Sequence, residues 1–455
     1  MYSLEKIWHA NLPRSWALGI LLYILSMITA IYYVFPLLSL RLRKNKNEVT
    51  ILVLGDLGHS PRMCYHALSL ARADMLVNLC GYMDMDLPES IQEEVMIDVY
   101  PIKVIKNTRK LPFIAFAAYK VAMQLYQLFA LLLQVQGSKY YMLQNPPSMP
   151  LLLVLVVFIR IFSPRSKLII DWHNLNYTIL NLKFNNLKHP LVRVLRAYER
   201  ILAQFAAINI TVTHQMKEFL IKEFLLREDS IIPFHDRPGP QFRPLRDSTI
   251  TKSEILATRD LFSEIDNIAD YKILVSATSF TPDEDFSILL NALKLYDDNK
   301  NEKTPIFAII TGKGPMQKQF LESVSSLNFT KKVIIRNAWL SAEDYPLVLA
   351  CADVAVSLHT SLSGIDLPMK IVDFFGVGVP VLTLRFPAIG ELVQDGKNGL
   401  ILPGIKLEDQ EMYDGLTRVL NDSEILNKLK DGALAESEKR WDENWDRILH
   451  PALCN

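Results

Sequence analysis

One stretch in the second half of the chain combines charged side chains with a glycine turn at helical spacing. Residues 358–381 read LHTSLSGIDLPMKIVDFFGVGVPV. A helix that begins near Asp366 or Leu367 would carry Asp366, Lys370 and Asp373 at positions i, i+4 and i+7, on one face. Two carboxylates and an ammonium on one face can bind a polar ligand, so this stretch is the first candidate for chemistry.

The side chains of this stretch suit a nucleotide. Ser363 and Gly364 form the turn before the predicted helix, where free backbone N–H groups and the positive end of the helix dipole attract phosphate. Lys370 can meet the phosphate as a cation, and Asp373 can accept hydrogen bonds from ribose hydroxyls. The alternative is a solvated charged face. The apolar run 374–381 favours the binding site, because it requires the helix to be packed.

Two more loops that directly follow predicted strands carry reactive or flexible residues. The loop after strand 49–54 reads GDLGHS and contains Asp56 and His59, and a histidine can act there as a general base. The loop after strand 306–310 reads TGKGP, in which the glycines around Lys313 let the backbone approach a ligand. Both loops are therefore expected to line a binding site.

Composition and missing motifs exclude several classes of protein. Lysine and arginine number 49, as do aspartate and glutamate, so no electrostatic reason exists to expect nucleic acid as a partner. The four cysteines lie far apart without a C-x-x-C pair, which argues against a zinc site or a disulfide framework. No P-loop motif is present, and Gly55 and Gly58 lack the third glycine of a dinucleotide-binding fingerprint.

The order of predicted elements indicates two α/β domains. Short apolar runs alternate with helical patterns in both halves, as in parallel, doubly wound sheets. Four prolines interrupt the periodicity within 231–245, so we place one domain at 47–235 and another at 236–430, with a helical tail at 431–455. Such domains bind ligands at the carboxyl ends of their strands, in the cleft that they face.

The N-terminal segment 1–46 contains a candidate membrane anchor. Residues 15–40 carry no charge, and about 20 apolar residues suffice to span a bilayer, so we predict a single span over about 16–40. The flanking basic residues are Arg41, Arg43, Lys44 and Lys46 on one side and Lys6 and Arg14 on the other. The larger cluster is expected in the cytosol, together with the domains that follow it.

Two other stretches are more apolar than a helix on a soluble sheet requires. They cover residues 111–134 and 150–162. One interpretation is that both are core helices. The other is that one face of each rests in the headgroup layer of a membrane, beside the anchor.

The chain resembles the chitobiosyldiphosphodolichol beta-mannosyltransferases of the endoplasmic reticulum, a family of GT-B glycosyltransferases. The resemblance covers both predicted domains, and the anchor is also a feature of that family. The strings that carry it are VLGDLGHSPRMCYHALSLA (53–71), LQNPPS (143–148), LIIDWHNLNYTIL (168–180), TSFTPDEDFSILL (278–290), ITGKGP (310–315), WLSAEDYP (339–346) and SGIDLPMKIVDFFG (363–376).

The resemblance implies transfer of mannose from GDP-mannose to GlcNAc2-diphosphodolichol with inversion, which gives a beta-1,4 linkage. It places the chain in the endoplasmic reticulum membrane as a single-pass protein with cytosolic catalytic domains, where later mannosyltransferases of the pathway could bind it. No tightly bound cofactor and no metal ligand set are expected, although Mg2+ could stimulate the reaction. Two alternatives stay open: a retaining alpha-mannosyltransferase of the same fold and a non-catalytic, membrane-anchored scaffold.

The resemblance also assigns roles to residues. His59 is expected to be the catalytic base with Asp56 as its orienter; Asp56 itself and His173 are the alternatives, and a structural role is common for a loop histidine. The expected donor-binding residues are Gly312, Lys313, Ser363, Gly364, Asp366, Lys370, Asp373 and Glu391. The expected acceptor-binding residues are Gly58, Arg62 and Asn174, although Arg62 could equally be a surface arginine.

Two departures from the wider fold class affect these roles. Many GT-B enzymes have a Glu-x7-Glu pair, whereas Asp366 and Asp373 are seven residues apart rather than eight. The loop after the first strand of the second domain reads SFTPDED and lacks the usual arginine and lysine. The diphosphate is therefore assigned to Lys313 and Lys370, with Arg237 as a third candidate.

Overall fold

A computed structural model describes residues 26–27, 46–107, 112–263, 265, 267–281, 284–359, 361, 363–404 and 407–454. The predicted membrane anchor lies outside these residues, apart from 26 and 27. The first strand begins at Lys46, the last of the basic residues that follow the predicted anchor.

The first sheet has seven strands in the order β3-β2-β1-β4-β5-β6-β7. The pairs β1–β2, β1–β4 and β2–β3 are parallel. Its strands are β1 Lys46–Asp56, β2 Leu76–Tyr82, β3 Ile97–Pro101, β4 Ser138–Asn145, β5 Lys167–Trp172, β6 Ile208–Thr211 and β7 Ile231–Pro233. The order reverses direction between β1 and β4, which makes this the point where a doubly wound sheet binds ligands.

The second sheet has six strands in the order β10-β9-β8-β11-β12-β13, and every adjacent pair is parallel. Its strands are β8 Lys272–Ala277, β9 Ile306–Thr311, β10 Val333–Ala338, β11 Val354–Ser357, β12 Val381–Leu384 and β13 Gly399–Leu402. The order reverses between β8 and β11. Both sheets are of the doubly wound type, as predicted.

Helices connect the strands in each half. In chain order they are α1 Pro61–Arg72, α2 Glu89–Gln92, α3 Phe113–Gln134, α4 Leu151–Phe162, α5 Asn176–Phe184, α6 Pro190–Leu202, α7 His214–Phe224, α8 Lys252–Thr258, α9 Phe286–Asp298, α10 Gln317–Ser326, α11 Asp344–Ala350, α12 Met369–Gly376, α13 Asp409–Leu420, α14 Ser423–Ser437, α15 Trp441–Ile448 and α16 His450–Leu453. Crossover helices of this kind are what parallel strands require.

Apolar cores cover the second sheet on both faces. Ile273 and Val275 of β8 pack into one core cluster, whereas Leu274 packs into the other. Successive side chains of a strand point to opposite faces, so a strand that is buried on both faces must be apolar throughout. This explains why the sequence ILV is continuous here instead of alternating with polar residues.

The chain forms two compact units. One comprises Met1–Asp171 with Val194–Asn209, and the other comprises Trp172–Arg193 with Ile210–Asn455. The expected domain boundary at residue 235 falls between the last strand of the first sheet and the first strand of the second. The compact units divide the chain before that point, because Trp172–Arg193 and the chain from Ile210 onward belong to the second unit. The boundary therefore stays a prediction.

Helix α3 leaves most of its apolar surface exposed. Among the described residues, Ala115–Gln134 is long and apolar enough to cross a membrane by length and composition, yet only 17% of its apolar window is buried. Val121 is 53% exposed and Tyr126 68%. A core helix is mostly buried, so the core interpretation does not account for α3. It fits α4 better, because Leu152 and Phe158 of α4 are fully buried.

A buried ion pair joins α1 to β5. Arg62 donates from Nε to Asp171 Oδ2 at 2.8 Å and from Nη2 to Asp171 Oδ1 at 3.0 Å. His66 Nε2 lies 3.3 Å from the same carboxylate, and the three side chains are 3% exposed or less. Arg62 was expected to bind the acceptor. Its burial rules out the alternative of a surface arginine, and its bidentate pairing gives it a structural role, because Asp171 needs a cation where no water reaches it. The acceptor contact of Arg62 stays a prediction.

We expect Arg62→Ala to lower the free energy of unfolding by roughly 3–5 kcal/mol, because it leaves the Asp171 carboxylate buried without its cation. Urea titration of the purified protein in detergent would measure the change. Arg72→Ala removes an exposed arginine from the same helix and should change the free energy by less than about 0.5 kcal/mol. Equal effects of the two substitutions would contradict the structural role.

Candidate active site

An oriented histidine follows β1. His59 Nδ1 lies 2.6 Å from Asp56 Oδ2, and the His59 side chain is 66% exposed whereas that of Asp56 is 11% exposed. The backbone N–H groups of Asp84 and Met85 donate to Asp56 Oδ1 at 2.8 and 3.2 Å. Asp56 is therefore fixed from one side while it holds the imidazole with the other oxygen. A proton on Nδ1 leaves Nε2 with a free lone pair.

Hydrogen bonds keep Asp56 in its charged form. Partial burial raises the pKa of Asp56, but the bonds from the N–H groups of Asp84 and Met85 and from His59 outweigh it, so the pKa is lower than usual. A carboxylate that stays ionised can stabilise a protonated imidazole. This arrangement suits a general base and its orienter, as predicted for His59 and Asp56.

Close packing shapes the loop that carries the histidine. A Cβ on Gly58 would lie 3.0 Å from both Asp86 O and Met85 Cβ, so a side chain there would push the 84–86 segment away from Asp56. Gly58 was expected to contact the acceptor. The packing gives it a reason to be glycine that is independent of any acceptor contact.

His173 and Asn174 follow β5. Both are half-buried. The Asn174 side chain accepts from Leu175 N–H at 2.8 Å and from Thr178 Oγ1 at 3.3 Å, near the start of α5. The amide of Asn174 thus stabilises the entry to that helix, and its acceptor contact stays a prediction, as does the alternative assignment of the base to His173.

A cavity of about 280 Å³ lies at the point where the second sheet reverses its strand order. Its walls come from the loop after β8 and from the segment between β11 and α12. The lining residues are Ser279, Thr281, Glu284, His359, Asp366, Leu367, Pro368, Met369 and Lys370. Two predicted donor residues, Asp366 and Lys370, therefore share one concave site, and Glu284 and His359 join them.

The helix of the 358–381 stretch begins later than predicted. Its first residue is Met369, and Pro368 is its N-cap. Proline disfavours the helical conformation of the residue before it, so Leu367 cannot extend the helix backwards. Asp366 consequently lies in the preceding loop and shares no helical face with Lys370. The expected free helix N–H groups also lie at Met369, five residues after Gly364.

Serine hydroxyls hold Asp366 in that loop. Ser361 and Ser363 both donate to Asp366 Oδ1, the latter at 2.8 Å. Gly364 adopts φ +75°, a left-handed conformation that favours glycine, and its N–H donates to Ser361 Oγ at 2.8 Å. His359 Nε2 lies 4.0 Å from Asp366 Oδ2. The turn is therefore a compact unit that fixes one carboxylate at the cavity wall.

Lys370 has an acidic partner that the sequence did not suggest. Its ammonium donates to Glu284 Oε1 at 2.8 Å, and the Glu284 side chain is 3% exposed. Glu284 also accepts from the Thr278 hydroxyl and from Ser279 N–H. The acidic loop SFTPDED thus places a carboxylate, not a cation, in the cavity, and this carboxylate orients the lysine that was expected to meet a phosphate.

Asp373 is partly buried among other polar groups. Burial raises the pKa of Asp373 to about 8; the Tyr345 hydroxyl, which donates to it at 3.4 Å, opposes the rise, and the nearby Asp236 carboxylate adds to it. Asp373 does not line the cavity, so its expected contact with a ribose stays a prediction.

The glycines around Lys313 are required by close contacts. Gly312 has φ +144°, and a Cβ on it would lie 1.8 Å from Thr278 O. A Cβ on Gly314 would lie 1.7 Å from Ser279 O. The loop after β9 is therefore pressed against the loop after β8, while the side chains of Lys313 and Pro315 are exposed.

Glu391 and Arg237 make structural contacts. Glu391 accepts from the His214 and Gln215 N–H groups at 2.7 and 2.9 Å, at the start of α7, and its Oε2 lies 2.7 Å from His235 Nε2. Its carboxylate thus caps a helix, and its expected donor contact stays a prediction. Arg237 Nη1 donates to Glu436 at 2.9 Å, so its charge is balanced within the protein.

One group of side chains among the described residues has the composition of a metal site. Donor atoms of His214, His235 and Glu391 lie within 4.8 Å of one another. The Glu391 carboxylate is already engaged by two backbone N–H groups and a histidine, so an ion would have to replace the His235 contact. The absence of a required metal stays a prediction.

Comparisons with known proteins place the fold in a known class. The family model "Glycosyl transferases group 1" matches residues 258–435. A crystal structure of Anabaena HepE in complex with UDP and glucose covers 90% of this chain and 99% of its own, with a TM-score of 0.64 and 16% sequence identity. The two doubly wound sheets and these matches define a glycosyltransferase of the GT-B class.

Two curated relatives narrow this class to a family. The chitobiosyldiphosphodolichol beta-mannosyltransferase of Debaryomyces hansenii is 58% identical over 426 residues, which cover 92% of this chain and 90% of the relative. The protein of the same name from Candida albicans is 51% identical over 442 residues, which cover 97% and 95%. The chain belongs to the chitobiosyldiphosphodolichol beta-mannosyltransferases, and the resemblance noted in its sequence is confirmed.

We compare the free energy of unfolding of Asp373→Asn with that of the wild type. We expect the difference to shift in favour of the variant as the pH rises. The folded protein keeps the Asp373 proton up to about pH 8, whereas the unfolded chain releases it near the usual value of 3.8. Stability due to this group is therefore lost as the pH rises between these values, and asparagine removes the loss.

Urea unfolding of both proteins at pH 5 and pH 8 measures the difference. Asp414→Asn, which alters an exposed carboxyl in the same compact unit, is the matched control and should give the same difference from wild type at both pH values. A gain from Asp373→Asn that does not grow with pH would show that Asp373 is ionised in the folded protein at neutral pH.

Proposed function

We propose that the chain transfers mannose from GDP-mannose to GlcNAc2-diphosphodolichol and forms a beta-1,4 linkage. The relatives carry the name chitobiosyldiphosphodolichol beta-mannosyltransferase, which supplies the acceptor, the sugar and the anomeric configuration. GDP-mannose is an alpha-glycoside, so a beta product requires inversion. The lipid-linked product would serve the assembly of the oligosaccharide for protein N-glycosylation.

The observation that carries the proposal is the exposed His59 imidazole held by Asp56. Inversion by single displacement needs one base, placed to take the proton of the acceptor hydroxyl. The base must be accessible and its tautomer fixed, and Asp56 meets the second need through its contact with Nδ1. The location after β1, where the first sheet reverses its order, is where doubly wound sheets bind ligands.

The reaction is a single displacement in which His59 takes the proton of the acceptor and GDP is the leaving group. The acceptor hydroxyl transfers its proton to His59 Nε2, and its oxygen forms a bond to the anomeric carbon of mannose. The bond from that carbon to the diphosphate oxygen breaks, and GDP leaves with the electron pair. Asp56 stabilises the imidazolium that forms, as the carboxylate of a catalytic triad does.

The departing diphosphate needs positive charge. Lys370 lines the cavity of the second sheet, and Lys313 lies on the loop after β9, which is pressed against the loop after β8. We assign both cations to the diphosphate. Lys370 already has Glu284 as a partner, which keeps it aimed at the cavity wall. With two cations available, no tightly bound cofactor is required, and we expect added Mg2+ to stimulate without being essential.

The membrane is part of the proposal because a polyisoprenoid acceptor stays in the bilayer. The predicted anchor at 16–40 and the exposed apolar surface of α3 support a position at the membrane surface. We place the chain in the endoplasmic reticulum as a single-pass protein with its catalytic part in the cytosol, next to later mannosyltransferases of the pathway.

The first test is mannose transfer by the detergent-solubilised protein, with GDP-mannose as donor and a GlcNAc2-diphosphate lipid as acceptor. We expect a product that beta-mannosidase digests. A product that resists beta-mannosidase but is cleaved by alpha-mannosidase would indicate a retaining alpha-mannosyltransferase. Donor binding without any product would indicate a non-catalytic scaffold.

We expect His59→Ala to lower kcat by roughly 10²- to 10⁴-fold, the usual contribution of general base catalysis. The affinity for GDP should stay unchanged, because His59 follows β1 of the first sheet, whereas the expected donor-binding residues belong to the second half of the chain. Isothermal titration with GDP and initial rates of transfer measure the two effects. His173→Ala is the comparison, and a large loss of kcat in that variant with normal rates in His59→Ala would move the base to His173.

A further inference from the structure

An exposed tryptophan stands at the carboxyl end of β10. Trp339 directly follows this strand and is 60% exposed, whereas Trp172, Trp441 and Trp445 are buried. Tryptophan is enriched where proteins contact other molecules, so an indole exposed at the ligand-binding end of a sheet is a candidate for such a contact.

The ring of Trp339 is in contact with the lysine that was expected to bind the donor. Lys313 Nζ lies 4.6 Å from the centre of the Trp339 ring, within the range of a cation–π interaction. The two residues come from adjacent strands, because β9 and β10 pair with Thr311 opposite Ala338. Gly312 N–H also donates to Ala338 O at 3.2 Å. The backbones below the pair are thus joined.

The side chain of Lys313 can move although its backbone cannot. Gly312 and Gly314 are held against the carbonyl groups of Thr278 and Ser279, so the loop has no room to shift. Lys313 itself is exposed, and a cation–π contact at an exposed site is weak, of the order of 0.5–1 kcal/mol. A ligand that offers a phosphate to the ammonium can therefore take it from the ring.

We propose that Trp339 is the platform on which the purine base of the donor stacks, and that Lys313 exchanges the ring for the donor diphosphate as the base arrives. This inference rests on the proposed use of GDP-mannose. Stacking leaves the indole face covered in both situations, first by the ammonium and then by the base. The exchange makes base binding and phosphate neutralisation one coupled event.

The spacing of the strands fits this placement. The cavity with Lys370 lies after β8 and β11, and β10 is two strands from β8 in the sheet. Adjacent strands are about 4.8 Å apart, so roughly 10 Å separate Trp339 from the cavity edge. A ribose and a diphosphate lie between a base and a sugar, and they can span such a separation.

A purine covers more of an indole than a pyrimidine does. Stacking on an aromatic side chain accepts every base, but a two-ring base overlaps a two-ring indole more completely. We therefore assign to Trp339 a preference for purine over pyrimidine nucleotides. Stacking alone does not separate guanine from adenine, so ADP should also contact the ring.

The test uses the full chain in detergent and follows two signals, GDP affinity by isothermal titration and tryptophan fluorescence. We expect GDP to quench the wild-type fluorescence, and this quenching to be lost in Trp339→Phe. Trp339→Leu should raise the Kd of GDP about 5- to 140-fold, the range that corresponds to loss of one stacked base. Trp339→Phe should raise it less.

Nucleotide fragments separate the base from the phosphate. Trp339→Leu should weaken guanosine and GDP alike, whereas Lys313→Met should weaken GDP and leave guanosine binding equal or tighter, because the ring is then free. The matched control is Leu321→Ala, which removes an exposed apolar side chain from α10 and should keep wild-type affinities.

Two outcomes overturn the inference while the proposed function stands. One is wild-type GDP affinity in Trp339→Leu together with mannose transfer by the wild type. The other is quenching and binding by UDP as strong as those by GDP. Failure of the proposed function gives a different result, namely a wild-type protein that forms no product that beta-mannosidase digests.

Discussion

Parallel pairing of strands is the constraint on which the rest of this structure depends. Parallel strands have their carboxyl ends on the same side of the sheet, and helices cover the two faces of such sheets. Polar loops can therefore gather only at the ends of the strands. Asp56 and His59 after β1, and Glu284 and His359 after β8 and β11, lie at the reversal of strand order in their own sheets. The apolar strands thus determine where chemistry can occur.

Exposure separates the charged pairs that are fixed from those that can exchange partners. Arg62 and Asp171 are buried at 3% and 0%, and a charge without its partner there is costly. Lys370 is 26% exposed although Glu284 is not, so its ammonium can contact a ligand while Glu284 stays in place. Among the described residues, Lys313 has the aromatic ring of Trp339 opposite it. Arg62, Lys370 and Lys313 are thus increasingly able to contact a ligand, in that order.

Much of the fold followed from the sequence, because apolar runs such as ILV in β8 have few alternatives to a buried strand. The pairing of His59 with Asp56 was also predictable, since a three-residue separation in one tight loop leaves little choice. Contacts between distant segments were not. The sequence could not show that Arg62 meets Asp171, 109 residues away, or that Glu284 meets Lys370, 86 residues away. The late start of α12 at Met369 could have been found from Pro368, whose effect on Leu367 is local.

The cap that Glu391 places on α7 has a consequence for folding during synthesis of the chain. His214 and Gln215 precede Glu391 by 177 and 176 residues, so their N–H groups have no Glu391 carboxylate until that residue leaves the ribosome. Synthesis proceeds at about 5–20 residues per second, so the delay is roughly 9–35 s. During this time the start of α7 must rely on Thr213, whose hydroxyl accepts from Met216 N–H at 2.9 Å. The full cap of α7 therefore forms only after most of the second half of the chain has been made.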